Sequence, residues 1–485
     1  MSALILTMRQ TRGYNMRIRE GILTGVVAVT VFGSCLTTAQ ASDNGSDDLR
    51  VESYVLPVGA AKPSLEELRS GRGMERLRAL ARQAEPGAGL AAETVGPATS
   101  YVPLSKRASG VAAQPHPGQG KPAVGPMATT APEPARTMTF EECKKGLGSS
   151  KAFYVKSRFA VCNGASFLQT WVRNNQPVGE SMFNVRVVGT IAKNSRTIDF
   201  RYYFTDFDTA GTTGAAVMPI TTKGNIPQSW PAGARYTRGG NKPGTQTFTQ
   251  LKALRTFNET VHAKPGQGKK APTDLLFSVY EPAISYRPPA GWTLSGAMGG
   301  KLFMLAPRWE SASYLANSTG GSKPERRGAA TFSYVPTLTL SAKAGADERA
   351  EAQHIRQAFL VPGDTKPYMS AKKVPGQTVK EPLHRTVSAA RNEKNRAAAV
   401  KQCKRYWGAN YTNGGTKECD EYPFASTYEG AAENYYDPEV RKFNFSAKPI
   451  PKDDNQAGGL ILKSFYAKNR IIDGLDDGFI VKIVG

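Results

Sequence analysis

The stretch "ECDEYPFAST", residues 418–427, decides how the last hundred or so residues are read. It places a cysteine, two adjacent carboxylates, an aromatic and a proline in one short run. Successive side chains of an extended strand point to opposite faces, so Asp420 and Glu421 cannot both enter one site. Asp420 is the candidate for chemistry, and Glu421 is expected to pair with an arginine or a backbone amide. Tyr422 and Phe424 are expected in the core.

The neighbouring segments carry recognisable element signals. Upstream, "RTVSAARNEKNRAAAVKQCKRYWG" (385–408) is rich in Ala, Arg and Lys and reads as a helix with Cys403 near its end. An "NGG" turn follows at 413–415. Downstream, "DDNQAGGLILKSFYAKNR" (453–470) reads as a second helix, capped by Asp454, with Leu460, Leu462, Phe465 and Tyr466 as its buried stripe. "DGFIVKIVG" (477–485) reads as a closing strand.

Farther out, the chain divides by composition. "MRIREGILTGVVAVTVFGSCLTTAQA" (16–41) has two arginines, an apolar run and an Ala39-x-Ala41 cleavage signal, so residues 1–41 read as a signal peptide cut near Ala41. No later run reaches the roughly 18 apolar residues a membrane span needs. A secreted, extracellular protein is expected. Residues 42–137 hold one helical pattern, "SLEELRSGRGMERLRALARQA" (64–84), and then a Pro/Ala/Gly-rich run too polar to bury a core; they read as a pro-region or disordered linker. Residues 138–345 alternate, with Phe183, Val185 and Val187 on one face and Ile198, Phe200, Tyr202 and Phe204 on another, between Gly/Pro turns. The fold class expected is multidomain: a central antiparallel β-sandwich-like accessory domain, a linker over 346–382, and a small α+β domain over 383–485. Asp206-x-Asp208 is read as a turn rather than a calcium loop, which would need more ligands and a closing Glu.

The five cysteines include Cys35 in the leader, leaving Cys143, Cys162, Cys403 and Cys419. An even count in an oxidising compartment reads as disulfides. Three connectivities are possible, and the two local pairs, Cys143 with Cys162 and Cys403 with Cys419, are expected. Zinc is disfavoured by the lack of Cys-x-x-Cys spacing.

The formal net charge of +23 points to polyanionic partners. Its placement matters. From residue 383 to 485 there are 16 Lys plus Arg against 13 Asp plus Glu, a net of +3, so most of the excess lies upstream.

"CDEYPFASTYEG" followed by "DNQAGG…FY…NR…DGFIVKI" resembles the NucA/NucB family of secreted deoxyribonucleases, over about the last hundred residues. The resemblance implies a small ββα-metal-like nuclease domain, with aspartate standing where related enzymes of that fold have histidine. It implies a secreted metal-dependent endonuclease that hydrolyses DNA with little sequence preference. Phosphodiester cleavage needs a base to activate water and a cation to stabilise charge on phosphate. The chain has four histidines, His116, His262, His354 and His384, and none follows residue 384. Asp420 is therefore the expected base, with His384 as rival. A Cys403–Cys419 bridge would clamp the strand beside Asp420 and contribute about 3 kcal/mol.

For the divalent cation, expected to be Mg2+ or Mn2+, Asn455 is the first candidate ligand, its competing role being an N-cap. Gln456 is a weaker candidate. Glu429, in "TYEG", matches an acidic position in the family's loop and is expected to ligate or to orient water. Arg470 and Lys463 are candidate phosphate contacts, with Lys468 beside them. Between Asn455 and Ile472 there is no carboxylate, so the helix lacks an acidic ligand of its own. The β domain is expected to recruit DNA or cell-wall polymer. The competing reading is a non-enzymatic cell-wall or polyanion-binding surface protein with a degenerate nuclease module.

Overall fold

The computed structural model of the chain describes residues 48–84, 130–149, 151–268, 273–318 and 323–485. The expected signal peptide and Cys35 lie outside the described residues, as does most of the Pro/Ala/Gly-rich run. The described residues form one compact unit.

The largest sheet has eight strands. At its centre are β1 (Leu49–Pro57), β2 (Ala160–Arg173), β3 (Gln176–Thr190), β4 (Thr197–Gly211) and β5 (Thr256–Ala263), antiparallel in that order. One edge is Thr293–Ser295, paired parallel to β1, and the other is Tyr236–Gly240. Two four-stranded sheets complete the β body. Their inward residues meet the large sheet in one core, where Phe200 stacks on Tyr280 at 3.6 Å and Trp309 and Phe332 are fully buried.

Three expectations change here. The segment 42–137 was read as pro-region or linker, yet β1 pairs along its whole length with β2, and residues 65–69 and 71–83 form helices packed on that sheet. Pairing across more than a hundred residues leaves no local signal. Strand β3 is buried on both faces rather than one. Phe183, Val185 and Val187 face the main core, while Val188 packs with Cys143, Leu147 and Cys162 beneath the helix Phe140–Leu147. The Cys143–Cys162 disulfide ties that helix to β2. Asp206 is not a turn residue: it sits at a bulge in β4 with positive φ, accepts from Asn184 and Thr205, and lies near Arg186.

The C-terminal region is a separate set of layers. β6 (Thr337–Ser341) lies parallel to β9 (Gly478–Val484), whose other side takes the short strand Leu383–His384. A second ladder pairs β7 (Lys417–Tyr422) with β8 (Ser446–Pro451). Three helices surround it: α1 (Arg349–Leu360), α2 (Ala389–Trp407) and α3 (Lys452–Lys468). The boundaries expected at 345 and 382 are thus crossed, since β6 and α1 are built into this region's core with Leu338, Leu340 and Ile355. Ile461, Leu462, Phe465 and Tyr466 form the buried stripe of α3, whereas Leu460 is exposed.

The two regions meet through buried charge. Asp477 accepts from Arg158 at 2.8 Å and from Arg308 at 2.6 Å, and its backbone neighbour Ile472 donates to the same carboxylate. Arg470 donates its Nε to Glu310 at 2.6 Å. All five charged side chains are buried. Burial alone would raise the Asp477 carboxyl, but Arg158 and Arg308 overcome it and hold it below its usual value of 3.8. Its stabilising contribution is therefore complete above that value and disappears only as pH falls through the lower folded one. Replacing Asp477 with Ala leaves two arginines buried without their partner, which costs about 3–5 kcal/mol. Urea unfolding of the full chain at pH 7 should show that loss.

Candidate active site

The β7–β8 ladder sets the geometry. Asp420 lies opposite Lys448, Tyr422 opposite Ser446 and Glu418 opposite Ile450. The pleat therefore puts Glu418, Asp420 and Tyr422 on one face and Cys419 and Glu421 on the other. On the first face Tyr422 sinks into the core against Phe359 and Phe424. On the second, Cys403 of α2 and Cys419 form the other disulfide, fixing α2 to the strand next to Asp420.

Asp420, 5% exposed, meets His354 of α1: its Oδ2 is 2.6 Å from Nδ1. The other ring nitrogen, Nε2, is 2.7 Å from Ser446 Oγ on β8. Nδ1 is the ring nitrogen placed to donate to the carboxylate, and Nε2 shares a hydrogen bond with the serine hydroxyl. The imidazole is thus held at both nitrogens and Asp420 is held by the imidazole. One turn earlier on α1 lies Glu351, also buried, whose Oε2 has no hydrogen-bond partner among the described residues. It occupies the space beside Gly458 of α3, where even a Cβ would come within 1.5 Å of that oxygen. Burial first, then the charges of Asp420, Glu421, Glu348 and Asp454, push the Glu351 carboxyl well above its usual range.

The start of α3 faces the same side of the hairpin. Asn455 Nδ2 donates to Glu418 Oε2 at 2.8 Å and Gln456 Nε2 donates to Glu418 Oε1 at 3.1 Å. Helix α3 begins at Lys452 after Pro451, so Asn455 is not its cap. Asp454, expected to cap α3, instead accepts from Ala350 N at the start of α1. Glu418 and the Asn455 amide oxygen are hard donors suited to a divalent cation. Among the described residues no group of three or more His, Cys, Asp and Glu is arranged to hold a metal ion by itself.

The remaining sequence candidates fall elsewhere. Glu421, half-buried on the α2 side, is raised to about 8, chiefly by burial and then by Asp420, with Arg396 opposing. It has no arginine at ion-pair distance among the described residues. Glu429 commits both oxygens to His384, one to the ring Nδ1 at 2.7 Å and one to the backbone N at 2.9 Å. Burial disfavours the charged imidazole of His384, but the hydrogen bond and charge of Glu429 outweigh it and raise its pKa. Arg470 is no phosphate contact, because it is buried against Glu310. Lys463 is exposed on α3, and Lys468 donates to Ala131 O.

Four participants were not singled out from sequence: His354, Glu351, Glu418 and Ser446. Glu351 and His354 stand three apart on a helix and so share a face. That Glu-x-x-His spacing was the available signal, hidden in a segment read as linker.

A family model described as Deoxyribonuclease NucA/NucB matches residues 370–481. The C-terminal region therefore carries a NucA/NucB domain, as the motif resemblance implied. Glu351 and His354 precede the matched residues. No curated protein matches the chain.

The Glu351 environment makes a testable statement about pH. A carboxyl raised on folding binds a proton more tightly in the folded state, so stability falls as pH rises from the usual glutamate value of 4.5 toward the folded one. Glu351→Gln removes that proton uptake. In metal-free buffer its melting temperature should fall less steeply than wild type between about pH 5 and 8.

Proposed function

We propose that the C-terminal region is a divalent-metal-dependent endonuclease acting on DNA, with Asp420 as general base. The family match supports a deoxyribonuclease function in general. The observation that carries the finer reading is the buried Asp420–His354–Ser446 chain beside Glu351, whose Oε2 has no hydrogen-bond partner among the described residues. A strand–strand–helix order of β7, β8 and α3 around this chain is consistent with a ββα-metal-like arrangement.

His354 and Ser446 orient the carboxylate. His354 occupies one oxygen of Asp420 and leaves the other to accept a proton from water, while Ser446 fixes the ring. The imidazole is a positioning group here, since its own nitrogens are both occupied. A cation would be held by Glu418 and the Asn455 amide oxygen, with Glu351 as the buried carboxylate nearest α3, and substrate phosphate and water completing its shell. Such an ion supplies charge stabilisation to the phosphate and the leaving oxygen. Beyond Asp454 the helix α3 carries no carboxylate, and Glu351 of α1 supplies one beside Gly458. Lys463, exposed on α3, is the cation assigned to substrate phosphate. The β body is assigned a recruiting role toward DNA or cell-wall polymer, and the protein is assigned to the extracellular space.

Asp420→Asn in the full chain should lower plasmid nicking at least about 10²-fold with magnesium or manganese. His354→Ala should give a smaller loss, and EDTA should abolish nicking in every variant. Undiminished nicking by a folded Asp420→Asn protein would sink the base assignment. Nicking that survives EDTA would sink the metal assignment, and absent activity in wild type would favour a polyanion-binding protein.

A further inference from the structure

Helix α2 is not explained by the chemistry at Asp420. Its inner face, with Asn395, Ala399, Gln402 and Cys403, is buried against the hairpin and the loop that follows it. Its other residues include Arg391, Lys394, Arg396, Lys401, Lys404 and Arg405, against a single acid, Glu393. Lys394, Lys401 and Arg405 are spaced by seven and four residues, which aligns them in one stripe along the outer face. The exposed Ala397 and the half-buried Ala398 lie between them, so the stripe has no bulky side chain in its middle. At 1.5 Å per residue the stripe runs about 16 Å. Lys401 and Lys404 have no carboxylate partner among the described residues.

Aromatic rings stand at both ends of this stripe. Near its start the loop after β7 returns over α2 and presents Tyr435 and Tyr436, 66% and 42% exposed. Lys394 Nζ lies 3.1 Å from the Tyr435 ring centre, and the Arg391 guanidinium lies 4.1 Å from that of Tyr436. The loop is held there by the buried Asn395, which donates to Ala425 O and Thr427 O and accepts from Ala432 N. At the far end, Trp407 is 42% exposed beside Tyr406, which has Lys366 and Arg405 near its face. Large rings exposed to solvent, with cations beside the two tyrosines and close to the tryptophan's neighbour Tyr406, are what a strand with unpaired bases requires: phosphates meet the cations and bases stack on the rings. A duplex keeps its bases stacked inside and would use the cations alone.

We propose that the outer face of α2, with Tyr435, Tyr436 and Trp407, is a holding site for single-stranded DNA. The proposal rests on the nuclease reading for the identity of the polymer, and it deepens that reading by naming the strand state. The face turns away from Asp420, so the site retains substrate and takes no part in scission. The Cys403–Cys419 bridge fixes its distance from the strand that bears Asp420.

Binding is measured by fluorescence anisotropy in EDTA, on full-chain Asp420→Asn protein, so no cleavage is needed. The probes are a 12-nucleotide thymidine strand, a duplex of equal length and an abasic strand of equal charge. Tyr435→Ala/Tyr436→Ala should weaken the thymidine strand about 5- to 100-fold and leave the duplex within about twofold. Lys401→Ala/Arg405→Ala should weaken all three probes and reduce the salt slope by about 2. Equal affinity for the abasic and thymidine strands would overturn the proposal and leave a general polyanion surface. So would a tyrosine variant that binds the thymidine strand as wild type does. Failure of wild-type nicking with these binding differences intact would count against the nuclease reading and not against the holding site.

Discussion

Two arginines from the β body close on one aspartate from the C-terminal region, and the rest of the architecture depends on that contact. Arg158 comes from the turn before β2, Arg308 from the strand Pro307–Glu310, and Asp477 from the turn before β9. An ion cluster this deeply buried has no water to fall back on, so each member is needed by the others. Arg470 and Glu310 extend it, and backbone carbonyls at Asn469 and Arg470 take further donors from Arg158 and Arg308. The C-terminal end of α3 and the entry to β9 are therefore positioned by the β body. The nuclease-like region is not hung on a flexible tether but seated in a charged socket.

From that socket the placement of the site follows. Helix α3 is held at its C-terminal end by the β body, and its N-terminal end meets Glu418 through Asn455 and Gln456. The same turn offers Asp454 to the start of α1, which brings Glu351 and His354 to Asp420. On the other side of the hairpin the disulfide to α2 prevents the strand from shifting. A carboxylate this buried keeps one orientation only when its neighbours are fixed as well, and here three elements fix it.

Where residues contact near neighbours in sequence, the reading from sequence was good. The alternation of Asp420 and Glu421, the burial of Tyr422 and Phe424, both disulfides and the helices around 389–407 and 452–468 were all legible, because strand pleat, helix periodicity and cysteine spacing are local. What escaped was long-range. His354 looked like a polar linker residue, and only the fold brings it across 66 residues to Asp420. Arg470 at a helix end invites an anion, and composition gives no sign that Glu310 supplies it 160 residues away. Leu460 was placed in the buried stripe by hydrophobicity, whereas the helix turns Ile461 inward and leaves Leu460 in solvent. Strand β1 was hidden in a segment whose neighbours are rich in Pro and Gly.

The position of β9 has a consequence for the order of assembly. It is inserted between β6 and the short strand Leu383–His384, which therefore do not touch one another in the ladder. Neither has its partner until residues 478–484 arrive, and β6 must wait for a segment about 140 residues further along the chain. Closing such a long loop precedes any gain from the contact. The β body closes a longer loop still, since Arg50 of β1 pairs with Thr293 at the edge of its large sheet. The hairpin that bears Asp420 needs no such wait, because β7 and β8 are near neighbours in the chain, so the Asp420 strand and the sheet beside it are joined by contacts of very different reach.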